Sequence, residues 1–332
     1  MSSTKWGILS AGKISHDFTV CLRSLGKKDH EVVAVAARSL EDAKNFANKH
    51  GITNAYGTYQ ELAQDPNVQV VYVGTLASHH LTVGKLLLEN GKHVLMEKPF
   101  TLSAKGAEEL INLARAKKLF LMEAIWSRFN PVFKFVMEQI AAGTIGDVYH
   151  VNAEFGLDLM EVERLVKKSH GGGVMLDLGV YTLNAISMVY NNQEPLEIKA
   201  AGHVSTEGVD EAVTVALKYP NGRVAVCSSH MRAELPNECT ISGTKGIIRI
   251  NKPFWCPTSV VVNGETREFP LPPIVDTCNF TNSNFLCHEA EHVRECLNQG
   301  LTESPILPLK DTLLLRRTTD HVFRQLGVFF EE

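Results

Sequence analysis

Along the first 125 residues, short apolar runs alternate with amphipathic stretches. The runs Gly7-Ile8-Leu9, Val32 to Ala37, Val70 to Val73, Val94 to Met96 and Phe120 to Met122 carry no polar alternation. Such runs suit strands covered on both faces, hence a parallel sheet. Between them, Ser39 to His50, Ser78 to Asn90 and Ser103 to Lys117 repeat apolar residues at helical spacing. Strand and helix in alternation, with short connections, predict a doubly wound α/β domain.

After residue 125 the pattern changes. Phe129 to Ala142 predicts a helix stopped by Gly143-Thr-Ile-Gly146, and Val148 to Phe155 alternates like a strand. A strongly apolar helix is predicted from about Gly173 to Tyr190. From Ile198 to Phe269, strand-like segments are separated by Tyr219-Pro-Asn-Gly222, Ser242-Gly-Thr-Lys-Gly246 and Asn263-Gly264. These are hairpin signals, so the second half reads as an antiparallel sheet. Helices at about Asn284 to Gln299 and Lys310 to Leu326 close the chain. The expected organisation is a nucleotide-type α/β domain over 1–125 and an α+β domain over 126–332.

Length and charge narrow the classes. A chain of 332 residues fits about two domains. Its net charge of −4, without a long run of one sign, lacks the basic face that nucleic acid or a membrane surface requires. Seven scattered cysteines without CxxC pairs read as reduced thiols of a cytoplasmic protein, and the N-terminus shows no signal-peptide core. Gly171 to Tyr190 is nearly uncharged, but Asp177 and its glycines favour a buried core helix over a membrane span.

Candidate chemistry begins at the first turn. Where a dinucleotide fingerprint places G-x-G-x-x-G, this chain has Ser10, Gly12 and Ser15. Gly12 keeps the place where backbone approaches a pyrophosphate, so Ser10, Gly12, Lys13 and Ile14 are candidate cofactor contacts. The bland alternative is an ordinary glycine-containing turn. After the second strand, Arg38 stands where an NAD site carries an acidic residue. A guanidinium there suits a 2′-phosphate, which favours NADP, and Ser39 can assist and cap the next helix. Glu41 and Asp42 lie close by.

Glu97-Lys98-Pro99 follows a strand at the carboxyl edge where open α/β sheets bind ligands. Lys98 there can hold a substrate hydroxyl, or be merely a solvated lysine. Thr75 and His80 also follow a strand end, beside the expected cofactor. In Gly171-Gly-Gly-Val-Met-Leu-Asp177-Leu-Gly-Val-Tyr181, Asp177 and Tyr181 are spaced to share a helix face. A tyrosine ionises near 10, and lowering that by about three units asks for roughly 4 kcal/mol, which a nearby cation supplies. The alternative is a core tyrosine tied to Asp177. His288-Glu-Ala-Glu-His292 matches the H-E-x-x-H zinc pattern, but no third ligand follows, so no metal is expected.

Together these residues resemble the family of glucose-fructose oxidoreductase and inositol 2-dehydrogenase. Glu97-Lys98-Pro99 matches that family's hallmark, and Gly171 to Tyr181 matches its G-G-G-x-x-x-D-x-G-x-[HY] element. The resemblance implies a Rossmann domain, an open-faced sheet domain and a homodimer. It implies cofactor contacts at His80 and Lys98 and adds Tyr72, Glu97, Trp126, Arg128 and Asp177, with Trp126, Phe155 and Tyr181 at the substrate. Lys98, Asp177 and Tyr181 would be catalytic, in an NADP-dependent oxidation of a cyclic polyol, aldose or trans-dihydrodiol. A second arginine expected near the 2′-phosphate is replaced by Asp42. A non-catalytic redox sensor is the alternative, against which the complete Lys98, Asp177 and Tyr181 set argues.

Overall fold

The computed structural model describes residues 3–330, which form two compact units. Among the described residues, the first comprises 3–101, 105–129 and 271–309; the second comprises 102–104, 130–270 and 310–330.

In the first unit the chain runs β1 (Thr4–Leu9), α1 (Lys13–Leu25), β2 (His30–Ala36), α2 (Leu40–His50), β3 (Asn54–Tyr56) and α3 (Tyr59–Gln64). It continues through β4 (Val70–Val73), α4 (His80–Glu89), β5 (His93–Glu97), α5 (Ala104–Lys117) and β6 (Leu121–Ala124). All strand pairs are parallel, in the order β3-β2-β1-β4-β5-β6. The order reverses between β1 and β4, and there the carboxyl ends open the crevice that receives ligands in such sheets. β4 and β6 are buried throughout and β5 from Val94 onward, as their apolar runs predict. β3 and α3 are additions to the sequence reading. Three half-buried residues leave no apolar run in β3, whereas Thr58 and Glu61 form a capping box that was legible ahead of α3.

In the second unit come α6 (Pro131–Ala141), β7 (Val148–Gly156), α7 (Glu163–Val166) and α8 (Val180–Val189). Strands β8 (Glu197–Val204), β9 (Asp210–Lys218), β10 (Val224–His230), β11 (Cys239–Gly243), β12 (Gly246–Ile250), β13 (Ser259–Val262) and β14 (Glu265–Glu268) follow. The sheet order is β14-β13-β12-β11-β7-β10-β9-β8, antiparallel except for the β7–β10 pair. The three hairpin signals fall between β9 and β10, β11 and β12, and β13 and β14. One face buries Val151, Ala153, Phe155, Ala225 and Cys227 against α8; the other leaves Val224 and Ile247 exposed. The apolar segment Lys168–Val189 is long enough to cross a membrane by length and composition, and 94% of its apolar window is buried within the fold.

The chain then departs from a simple two-block reading. α9 (Leu286–Asn298) belongs to the first unit, and α10 (Leu309–Leu326) falls almost wholly in the second. The physical reason lies on α9: Leu286, Ala290 and Val293 form a buried stripe, and the helix packs against α1. Arg294 anchors it further, donating to the carboxylate of Asp29 at 2.6 Å and to its carbonyl at 3.1 Å.

At the head of α1, Ser15 is wholly buried against the end of β4, where Gly74 sits. A Cβ on Gly74 would lie 2.4 Å from Ser15 Oγ. The close helix-to-strand approach that a third fingerprint glycine normally permits is thus provided from the strand side. Gly74→Ala should therefore destabilise the protein by about 1–3 kcal/mol through overpacking. Ser15→Gly in the same chain should restore most of the loss in urea unfolding; an additive double variant would show that the two do not share this space.

Candidate functional site

The first candidate surface is the carboxyl edge of the parallel sheet. Ser10 leaves β1 with φ +93°, the left-handed region that glycine ordinarily fills at this position. Gly12 then caps α1 without a side-chain hydrogen bond, so the leading N–H groups of a 13-residue helix meet no capping side chain. A Cβ on Gly12 would find nothing nearer than Ser10 Oγ at 3.5 Å. An exposed, glycine-lined helix N-terminus with Lys13 and Ile14 beside it fits a pyrophosphate. Arg38, exposed two residues beyond β2, lies next to Ser39, whose hydroxyl accepts from the N–H of Asp42 at 3.3 Å and caps α2.

Lys98 is half-buried, and the turn that carries it is tied from beneath. Glu97 is buried and accepts from the Tyr72 hydroxyl at 2.6 Å and from the Lys98 N–H at 3.1 Å. The Phe100 N–H donates to Glu123 at 3.0 Å. His80 Nδ1 lies 2.8 Å from the Pro99 carbonyl and Nε2 lies 3.3 Å from the Thr75 carbonyl. Burial lowers the His80 imidazole to about 4, so the ring is neutral at pH 7 and has one N–H for these two carbonyls, of which Pro99 is the nearer. Tyr72 is itself immobilised, its ring stacked on Phe18 with centroids 3.9 Å apart. Of the residues proposed as cofactor contacts, Tyr72, His80, Glu97, Trp126 and Arg128 are therefore buried, while Ser10, Gly12, Lys13, Arg38 and Lys98 reach the surface to varying degrees. Arg128 donates to the Ile306 carbonyl at 3.4 Å.

The remaining candidates stand in the second unit. Met175–Gly179 is a π-helical turn ahead of α8, not the regular start that the sequence predicts at Gly173. Such turns recur at functional sites because they re-aim side chains. Asp210, at the start of β9, fixes it by accepting from the Met175 N–H at 2.7 Å. Gly173 has φ +116°, and a Cβ there would fall 2.2 Å from Asp210 Oδ1, so glycine is required twice over. Asp177 projects from this turn into a two-pronged ion pair with Arg164, at 3.0 and 3.2 Å. Tyr181 is buried on α8 with its ring 6.0 Å from that of Phe155, which stacks on Trp255 at 3.7 Å. An aromatic wall and a carboxylate are thus grouped within one unit.

Glu123, Arg164, Asp210 and Trp255 escaped sequence reasoning. A carboxylate inside Leu121-Met-Glu-Ala124 was a usable signal for Glu123; no spacing pointed to Arg164. The zinc pattern is divided by the fold. His288 is exposed beside Phe285, Glu289 is wholly buried, and His292 bonds Ser304 at 2.7 Å. Among the described residues, no three His, Cys, Asp or Glu side chains gather to hold a metal ion.

Comparison with known proteins adds a family. Residues 4–125 match the oxidoreductase family with an NAD-binding Rossmann fold, and residues 133–249 match the GFO/IDH/MocA C-terminal domain. The chain is 47% identical over 328 residues to the trans-1,2-dihydrobenzene-1,2-diol dehydrogenase of Xenopus tropicalis, covering 99% of each. Its fold resembles an NAD-binding oxidoreductase of Klebsiella pneumoniae, with TM-score 0.85, 18% identity and 98% and 97% of the two chains covered. It also resembles a 3-ketoreductase of Actinomadura kijaniata in complex with NADP and TDP-benzene, with TM-score 0.81, 22% identity and coverage of 99% and 100%.

Asp210 yields a pH signature. Burial pushes its carboxyl from 3.8 up to about 7, against opposing hydrogen bonds from Met175, Val174 and its own N–H. Between those values the folded state keeps a proton that the unfolded state has released. The stability contributed by this group therefore falls as pH rises from about 4 to about 7. Asp210→Asn keeps an acceptor for Met175, so its melting temperature relative to the parent should shift in the variant's favour across that window and level off above it. Parallel pH curves for the two proteins would contradict the assignment.

Proposed function

Because the chain belongs to the GFO/IDH/MocA oxidoreductase family, we propose that it oxidises a hydroxyl of trans-dihydrodiols of aromatic hydrocarbons, with NADP as hydride acceptor. The observation that carries this is the 47% identity held over 328 residues with a trans-dihydrodiol dehydrogenase. D-xylose-like aldoses are the second substrate class. Phe155 and the half-buried Trp255 offer stacked, flat apolar surface suited to a ring bearing hydroxyls. Trp126 is assigned to the same pocket on the resemblance.

In this reading Ser10, Gly12, Lys13 and Ile14 hold the pyrophosphate at the head of α1, and Arg38 with Ser39 holds the 2′-phosphate. The family resemblance also assigns cofactor contacts to Thr75 and Asp177. Asp42, exposed in the first turn of α2, opposes the phosphate charge and weakens the preference for NADP. Tyr72, His80, Glu97, Trp126 and Arg128 serve from beneath the surface. Bound in its oxidised form, the nicotinamide supplies a hydride acceptor. Tyr181 takes the hydroxyl proton, and Lys98 donates a hydrogen bond to the oxygen losing it and stabilises the charge that develops there. Asp177, held by Arg164, orients the substrate. The protein works in the cytoplasm as a homodimer; Val224 and Ile247, apolar and exposed on the open sheet face, support a partner surface there.

NADP reduction measured with a trans-dihydrodiol of benzene, D-xylose, D-glucose and myo-inositol tests the substrate. The dihydrodiol should give the highest kcat/KM, and preference for myo-inositol would sink the reading. Arg38→Ala should weaken NADP about tenfold to a hundredfold, the worth of a charged contact, and leave NAD little changed. Equal losses would give Arg38 a role in folding instead.

Tyr181→Phe should lower turnover by roughly 10²–10⁴, the range for general acid–base catalysis, with NADP affinity nearly intact. Lys98→Met should cost at least as much. The double variant should lose far less than the product of the two, because groups acting as a unit are non-additive. Near-normal turnover in Tyr181→Phe would transfer the proton to another group.

A further inference from the structure

Two histidines that take no part in the proposed chemistry meet inside the first unit. His16, near the start of α1, and His50, the last residue of α2, are both buried. His16 Nδ1 lies 3.0 Å from His50 Nε2, with ring centroids 4.8 Å apart and Phe46 against His50 at 4.4 Å. Each outer nitrogen meets a group of fixed character. His16 Nε2 lies 2.9 Å from the Thr277 carbonyl, and the Arg23 guanidinium lies 3.5 Å from His50 Nδ1.

Thr277 belongs to a strap, residues 271–282, that is fastened along α1 before the chain enters α9. The Val275 N–H donates to Ser24 at 3.0 Å. Asp17 accepts from the Asn279 N–H at 2.8 Å, from the Asn279 amide at 2.7 Å and from the Phe280 N–H at 2.9 Å. The Asn279 amide also donates to the Lys13 carbonyl at 3.2 Å. Between these ties, the Thr277 carbonyl is met by an imidazole, whose hydrogen bonding depends on where its proton sits.

A carbonyl only accepts and a guanidinium only donates. The Thr277 end therefore requires the proton on His16 Nε2, which leaves Nδ1 as an acceptor. The Arg23 end requires a lone pair on His50 Nδ1, which leaves the proton on Nε2. The two requirements agree at the middle contact, a donor on His50 facing an acceptor on His16. We propose that Arg23, His50, His16 and Thr277 form one directed hydrogen-bond chain that latches the strap to α1, with His50 the positioning residue that sets the His16 tautomer. Only one state completes the chain, a single proton on each Nε2. An added proton on either ring turns donor against donor, at Arg23 or at the middle contact. Around the pair, Arg23 on α1 and Lys49 on α2 oppose that proton, Asp276 on the strap favours it, and Asp17 is engaged with Asn279. Burial, then His16, Arg23 and Lys49, hold the His50 imidazole down at about 4. The latch is thus complete at neutral pH and opposed by acid.

Imidazole nitrogen NMR shifts of the full chain at neutral pH test the chain of donors directly. Both rings should carry the proton on Nε2, with Nδ1 unprotonated and hydrogen-bonded. Hydrogen exchange of peptides covering 271–282 then separates hydrogen bonding from packing. His50→Gln keeps a donor for His16 and an acceptor for Arg23 but loses the ring; His50→Phe keeps the ring and loses both polar atoms. The Phe variant should speed exchange of the strap roughly threefold to tenfold, the worth of one hydrogen bond, and the Gln variant should restore most of the protection. As pH falls from 6.5 to about 4, wild type should lose melting temperature relative to His50→Gln, because the folded ring resists a proton that the unfolded ring accepts. A proton on Nδ1 of either ring in the wild type, a strap no better protected in the Gln than in the Phe variant, or parallel melting curves would each overturn the proposal. None of these readouts involves a cofactor or turnover, so they stand apart from the substrate and NADP tests.

Discussion

The turn that carries Lys98 is anchored by buried side chains, and much of the first unit is arranged to keep them satisfied. Three consecutive residues, Lys98, Pro99 and Phe100, bring backbone polar groups into a turn that is half-buried at Lys98 and buried at Pro99 and Phe100. Glu97, His80 and Glu123 each meet one of them. Such a group left unpaired costs about 1–3 kcal/mol, so the three contacts confine the turn to one conformation. A lysine on a confined backbone can deliver its ammonium to a repeatable position, which is what orientation in catalysis requires. The cost is two buried carboxylates close to a third: Glu289 lies wholly buried, its carboxyl raised well above the ordinary value by desolvation and by Glu97 and Glu123.

The second unit solves a related problem by other means. Its π-helical turn would leave N–H groups without partners in the core, and Asp210 accepts one of them from a neighbouring strand. The position of Asp177 thus depends on a residue that never touches it. Arg164, on the short α7, fixes the carboxylate from the other side. In both units the groups proposed for chemistry are first or second neighbours of buried charges.

Much of this was legible in the chain and some was not, for physical reasons. Apolar runs located β4 to β6, and Asn-Gly and Gly-Thr-Lys-Gly turns located the hairpins, because those signals are local. The broken fingerprint was harder: Ser10 adopts the backbone of a glycine, and the space denied by Ser15 is returned by Gly74, whose partner no local pattern reveals. Thr58 and Glu61 mark the start of α3 by a local capping box, a signal carried by polar residues and not by an apolar run. Asp177 and Tyr181 were found by spacing, yet Arg164 and Asp210 were invisible because long-range pairing sets them. The assignment of 271–309 was invisible for the same reason: periodicity marks α9 as a helix with one apolar stripe, not which surface that stripe will cover.

That returning segment has a consequence for biosynthesis. The first unit's sheet emerges from the ribosome complete, but the face of α1 destined for α9 emerges uncovered. Translation at 5–20 residues per second leaves it so for on the order of ten seconds. Phe18 then has intramolecular partners in Trp6 of β1 and Tyr72 of β4, while the outer side of α1 must wait for α9 with its buried Leu286, Ala290 and Val293. The nascent chain consequently keeps that face of α1 uncovered during that interval, and the Rossmann half gains its last helix only after most of the second unit has been synthesised.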